Sequence, residues 1–267
     1  MTEKSSIVTE NPWASLKRHT NARIGLGRVG ISQPTDKQLA FQLSHALARD
    51  AVHIPLDLMR LAGELIDAGL EVIALHSRAG DRQTYLKRPD FGRRLDGDSA
   101  ARLKTFAEGE TASDACIVIA DGLSSTAVQS HAGEMARRVD SALKAEGLSV
   151  GPVCIVEQGR VAIGDEIGEL LGARLLVLLV GERPGLSSPD SLGIYYTYGP
   201  RVGLTDAARN CISNVRPAGL PLAESCERLM WLIRESQRRK LSGVTLKDES
   251  GDADALDGTG SRNFLLE

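Results

Sequence analysis

Aromatic residues are scarce in this chain, 4% of 267 residues, so its core must be aliphatic. Charge of one dominant sign is missing too. Lysine and arginine number 32 against 35 aspartates and glutamates, a formal net charge of -3. That balance gives no general attraction to nucleic acid or to an anionic membrane. No apolar run is long enough to span a bilayer, and no signal peptide opens the N-terminus. The four cysteines, Cys116, Cys154, Cys211 and Cys226, show no CxxC spacing. They read as reduced thiols of a cytosolic protein, and Cys116, Cys154 and Cys226 as small buried hydrophobes.

Self-contained catalytic machinery is also lacking. His19, His45, His53, His76 and His131 form no HExxH, HxH or Cys/His cluster, which argues against a structural or catalytic zinc site. No Ser/His/Asp arrangement is legible, and GxSxG is absent. Gly25-Leu26-Gly27-Arg28-Val29-Gly30 fits the dinucleotide fingerprint GxGxxG. That motif needs a strand before it and a helix starting within it, because the helix N-terminus holds the pyrophosphate. Here Pro34 delays the helix, and the acidic residue about 20 positions on, Asp50, falls at a helix end. The segment reads as a glycine-rich connector.

What is present is a 42% hydrophobic α/β pattern. Residues 1–20 form a polar arm with Trp13 as its one anchor for docking. Pro34-Thr35 opens a helix, with Thr35 as N-cap and Leu39, Leu43, Ala46 and Leu47 on one face. A second helix spans about Pro55 to Ala68 and ends at Gly69, and Leu70–Leu75 reads as a strand. Residues 80–97 form a long charged loop. A helix capped by Asp98 or Ser99 runs to about Glu110. Ala115–Ala120 is a continuous apolar run, hence a buried parallel strand. A helix follows to about Ala145, capped by Gly147. Then come the strand Val153–Val156, a helix near Ile163–Leu171 and the strand Leu175–Val180. Alternating strands and helices imply parallel strands with right-handed crossovers. Residues 183–221 read as irregular. A last helix, about Ala223–Leu241, puts Cys226, Leu229, Met230 and Ile233 on one face. Residues 248–267 are acidic and glycine-rich, with the composition of a disordered tail.

Ligands of open α/β sheets bind at the carboxyl ends of the strands. Two polar, glycine-bearing turns stand there. Asp121-Gly122-Leu123-Ser124-Ser125 offers either backbone N–H groups for a polar ligand or an ordinary turn with a serine N-cap, and the residues leave both open. Glu182-Arg183, between Gly181 and Gly185, permits close approach to a flat ligand. Lys87–Arg94 is a dense basic patch, a solvated loop or, more sharply, a subunit contact. Arg209–Asn214 is a further polar cluster. Together they describe a ligand or partner surface without an acid, base or nucleophile of its own.

Five segments carry a family resemblance: YLKRPDFGRRL (Tyr85–Leu95), VIADGLSS (Val118–Ser125), Gly159–Gly185, Tyr198-Gly199-Pro200-Arg201 and CISN (Cys211–Asn214). In order and spacing, from about residue 10 to 245, the chain resembles the small subunit of ethanolamine ammonia-lyase. The resemblance implies a Rossmann-like parallel sheet flanked by helices, with a helical N-terminal region. It divides the chain into an arm and helical region at 1–97, a cobalamin-covering domain at 98–247 and the tail at 248–267, which lies outside the family pattern. It implies adenosylcobalamin (coenzyme B12) as cofactor, keeping its own base on cobalt, and a large subunit as partner in a hetero-oligomer. That partner carries the main catalytic residues for radical conversion of ethanolamine to acetaldehyde and ammonia. By motif match, cofactor contacts fall on Val161, Glu182 and Cys211: apolar and backbone packing, a carboxylate accepting from amide or hydroxyl groups, and a small soft filler. The implied location is cytoplasmic. Relatives that enter a bacterial microcompartment carry a longer N-terminal extension than the short arm here. Two other classes stay open beside this one: a non-catalytic scaffold or binding module without cofactor, and a nucleotide-dependent oxidoreductase.

Overall fold

The computed structural model describes residues 7–109 and 111–247; the expected acidic tail and the helix end at position 110 lie outside the described residues. Six strands form one sheet in the order β1-β3-β2-β4-β5-β6. They are β1 (Val72–His76), β2 (Ala115–Ala120), β3 (Val150–Glu157), β4 (Leu175–Gly181), β5 (Leu192–Tyr198) and β6 (Arg209–Val215). The first four are mutually parallel. β5 runs antiparallel to β4, and β6 antiparallel to β5. The α/β class therefore holds, but as a mixed sheet. β1, from the segment before residue 98, is an edge strand of this same sheet, paired with β3.

β2 and β4 are buried on every residue, which is why they read as unbroken apolar runs. Their side chains alternate between two cores. Ile117, Ile119, Val177 and Leu179 pack under α2 (Leu58–Asp67), α6 (Gly133–Ala145) and α8 (Leu222–Arg239) through Leu61, Leu65, Met135, Val139, Leu229 and Ile233. Cys116, Val118, Leu176 and Leu178 pack under α4 (Gly97–Gly109) and α7 (Ile163–Leu170) through Leu103, Ile163 and Ile167. Each such buried aliphatic side chain contributes about 1.5–3 kcal/mol. The helix after β2 is not continuous. A short turn, α5 (Ser125–Ala127), passes through a π-helical segment (Val128–Ala132) into α6.

Several expectations are corrected. Residues 183–221 are not irregular: they contain β5 and β6, whose β-branched and aromatic residues are interrupted by Gly, Pro and Ser turns. Residues 80–97 are not one loop, because α3 (Arg82–Lys87), capped by Asp81, lies within them. Thr35 is the first residue of α1 (Thr35–His53) and Pro34 holds the cap position without a side-chain bond. The carboxylate at the head of α4 is Asp96, accepting from the Ser99 N–H at 2.7 Å. Among the described residues, nothing buries Trp13. It lies 65% exposed in a 3-10 helix, Pro12–His19, that has no buried residue. The arm is held by backbone instead: a side chain on Gly25 would meet Ala14 Cα at 2.9 Å. Gly25, Gly27 and Gly30 all take positive φ, and no helix begins between Gly25 and Thr35, so this segment is the expected connector.

Candidate functional site

The carboxyl ends of β2, β3 and β4 come together around a pocket of about 380 Å³. β2 lies at the centre of the parallel part, with β3 on one side and β4 on the other. The connection from β2 goes one way and that from β3 returns past it, so the crevice between β2 and β4 is where such a sheet takes a ligand. A larger cavity of about 490 Å³ lies at the opposite, amino ends, lined by Asp140, Lys144, Phe106 and Leu171 among others. Its Asp140 and Lys144 pair with each other at 2.9 Å. The strand-end pocket is the better site because three independent loops converge there.

Those loops approach with no room to spare. Gly122 has φ +58, and a Cβ on it would stand 2.2 Å from the Gly181 carbonyl oxygen and 2.5 Å from Val180 Cγ2. The Leu123 N–H donates to that carbonyl at 2.8 Å. Ser124 is the N-cap of the following turn, its hydroxyl accepting from the Ala127 N–H at 3.1 Å. Of the two readings of Asp121–Ser125, the serine cap is realised. The third loop, Gly159-Arg160-Val161, follows β3, and Gly159 lies so close to β2 that a Cβ there would be 2.9 Å from that of Ala120.

YLKRPDFGRRL acts as a clamp behind this loop. Tyr85 is buried, and its hydroxyl donates to the Gly159 carbonyl at 3.2 Å. Its ring is faced by two guanidinium groups, Arg82 at 4.7 Å and Arg160 at 4.4 Å. The Arg160 N–H donates to Gly92 O at 2.8 Å, and a Cβ on Gly92 would press on Arg160 and the Tyr85 ring. Burial holds the Tyr85 phenol well above its ordinary pKa. Arg94 grips Glu166 through both carboxylate oxygens, at 3.0 and 2.9 Å. It is spent inside the chain, while Arg93 stays exposed. Arg88 pairs with Asp90 at 2.6 Å and stands over the Phe91 ring.

Of the three residues expected at the cofactor, Val161 and Glu182 line the pocket together, with Leu123, Val180, Arg183 and Tyr195. Cys211 is one strand further out, exposed on β6, directly across from Tyr195 of β5. Glu182 is already engaged. Oε2 accepts from the Ser191 hydroxyl at 2.5 Å and the Asn214 N–H at 3.2 Å, and Oε1 from the Ser213 hydroxyl at 2.6 Å. It ties the end of β4 to β6. A carboxylate has about four acceptor positions, so one remains for a ligand. Arg82, Tyr85 and Arg160 were not legible as site residues, because their hydrogen-bond partners are 30 to 76 residues away in sequence. Among the described residues no group of three or more His, Cys, Asp or Glu could hold a metal ion, and no helix is long and apolar enough to cross a membrane.

Comparison with known proteins gives a consistent answer. The ethanolamine ammonia-lyase light chain family model matches residues 10–247. An ethanolamine ammonia-lyase small subunit of Azotobacter vinelandii is 58% identical over 264 residues, 98% of this chain and 97% of that protein. Small subunits of Ralstonia nicotianae and Pseudomonas aeruginosa are 55% and 56% identical, covering 98% and 96% of this chain and 97% and 95% of theirs. The family model ends at residue 247, so the tail lies outside the family pattern as expected, although the pairwise alignments run on past it. On these matches, the chain belongs to the ethanolamine ammonia-lyase light chain family.

Proposed function

We propose that the chain is the small subunit of an adenosylcobalamin-dependent ethanolamine ammonia-lyase, and that its strand-end pocket covers one edge of the cofactor against the large subunit. The observation that carries the reading is the pocket itself: Val161 and Glu182, matched from the family motifs, converge on one crevice between tightly apposed loops. At about 380 Å³ it suits an edge of a large ligand and not a whole one, as expected of a site shared with a partner.

The residues fit the group. Val161, Leu123, Val180 and Tyr195 provide apolar contact for a flat ring edge. Glu182 keeps one acceptor position for an amide or hydroxyl donor, and Cys211 supplies a small polarisable surface on β6. When bound, the cofactor supplies the breakable cobalt–carbon bond that starts radical chemistry on ethanolamine. This chain's residues bind, orient and exclude water. The partner reading draws on α1 as well. Leu39, Leu43 and Leu47 line one stripe of that helix and are 59%, 62% and 49% exposed. A 19-residue helix with one buried residue, Ala51, is poorly held by its own chain.

The test is acetaldehyde formation from ethanolamine with added adenosylcobalamin, using this chain alone, the cognate large subunit alone, and both. Activity in the mixture only is the expected result. A co-purifying mixture without activity leaves the scaffold reading in place of this one.

A further inference from the structure

We propose that Asp121 is the positioning residue of the cofactor pocket: its carboxylate holds the Gly159–Val161 segment where Val161 meets the ligand, and protonating it releases that segment. The inference rests on the cofactor reading above.

Asp121 directly follows β2, is 3% exposed and does not itself line the pocket. Its Oδ1 accepts from the Gly159 backbone N–H at 3.0 Å. Its Oδ2 pairs with Arg82 Nη1 at 3.3 Å. The same guanidinium donates to Gln158 Oε1 at 3.2 Å and, through Nε, to the Val52 carbonyl near the end of α1 at 2.6 Å. One buried carboxylate thus ties together the tip of β2, the loop after β3 and the end of α1. That loop needs outside support. Gln158, just before Gly159, sits at φ +55, a left-handed conformation that a glutamine does not favour. Asp121 therefore acts on the ligand through Gly159.

The charge state of Asp121 is set by burial against the Arg82 charge and hydrogen bonds from the Gln158, Gly159 and Gly122 backbone. Burial raises its carboxyl to about 6, and the Arg82 charge opposes that rise. Arg82 from α3 is the ion that faces it, with Tyr85 of the same helix and Arg160 of the following loop beyond. On the β4 side the neighbour is the uncharged Gly181. At pH 7 the carboxylate is ionised and holds both partners. Once protonated, it no longer pairs with Arg82, whose Nη2 already lacks a partner, and a buried guanidinium without its counter-charge strains the loop.

The experiment uses the complex of this chain with its large subunit and measures the Kd for adenosylcobalamin from pH 5 to 8. The wild type should bind with constant affinity above about pH 6.5 and weaken by up to about tenfold per pH unit well below pH 6. Asp121→Asn should lose this acid limb and bind about tenfold more weakly at pH 7, as expected for loss of one charge-assisted contact. Arg82→Gln should move the limb to higher pH, since the opposing charge is gone, a shift that a purely structural role would not produce. Should Asp121→Asn fail to assemble, Arg82→Gln decides alone. An assembled Asp121→Asn complex with the wild-type acid limb overturns the proposal, as does an unmoved limb in Arg82→Gln. Val161→Glu separates the two levels. If it leaves the Kd unchanged, the cofactor reading fails and takes the proposal with it. If it abolishes binding while the Asp121 and Arg82 variants behave as wild type, the proposal alone fails.

Discussion

Gly122→Ala tests whether the two loops at the pocket are as tightly apposed as their geometry requires. Two terms oppose the new methyl group. The first is backbone strain at φ +58, about 1–2 kcal/mol for an L-residue in the left-handed region. The second is steric. The Cβ would lie 2.2 Å from Gly181 O and 3.0 Å from Gly181 N, backbone atoms that cannot rotate away. Ordinary carbon contacts are about 3.5 Å or more, so the loops after β2 and β4 must separate by about 1 Å. Overpacking of that kind adds about 1–3 kcal/mol, for a total near 2–5 kcal/mol. Gly69→Ala is the internal control. Gly69 also has positive φ, +80, but nothing lies within 4 Å of its Cβ position, so only the strain term of about 1–2 kcal/mol applies. The assay is urea denaturation of both variants with a shared m-value, together with adenosylcobalamin retention in the assembled complex. The reasoning requires the Gly122 variant to lose more stability than the control and to lose cofactor. Equal destabilisation of the two would refute the steric argument, and full retention of cofactor would detach this apposition from the pocket.

Three further outcomes follow from particular contacts. Tyr85→Phe removes the buried donor to Gly159 O and should lower stability by about 0.5–1.5 kcal/mol; denaturation midpoints unchanged within error would show that bond to be idle. Glu182→Ala leaves Ser191, Ser213 and the Asn214 N–H without their common acceptor. It should weaken cofactor retention by about 1–3 kcal/mol and loosen the β4–β6 junction, and wild-type hydrogen-exchange rates at Asn214 would contradict the clamp. Asp165 is buried against Arg209 of β6, and burial lifts its carboxyl to about 6. A raised acid binds its proton more tightly when folded. Its contribution is therefore full below about pH 4 and lost as pH rises through 6. Asp165→Asn should flatten the stability profile between pH 4 and 6 in urea titrations; an unchanged slope would assign that range to other groups.

The sequence by itself determined the parallel half of this fold. Ala115–Ala120 and Leu175–Val180 had to be central strands, because strands covered on both faces must be apolar at every position. Gly69 and Gly147 marked helix ends through the left-handed residue such ends favour, and both take positive φ. The long motifs carried the family and placed Val161 and Glu182 at strand ends. Tertiary structure alone decided the rest. β5 and β6 escaped notice because short antiparallel strands at one side of the sheet, with Gly, Pro and Ser at their flanks, carry no long apolar run. The apolar stripe of α1 has helical period whether it faces a core or solvent, and only the fold leaves it exposed. Arg82, Tyr85 and Asp121 become one unit because α3 folds back over the tips of β2 and β3, a contact between residues 36 to 76 positions apart that no local pattern encodes.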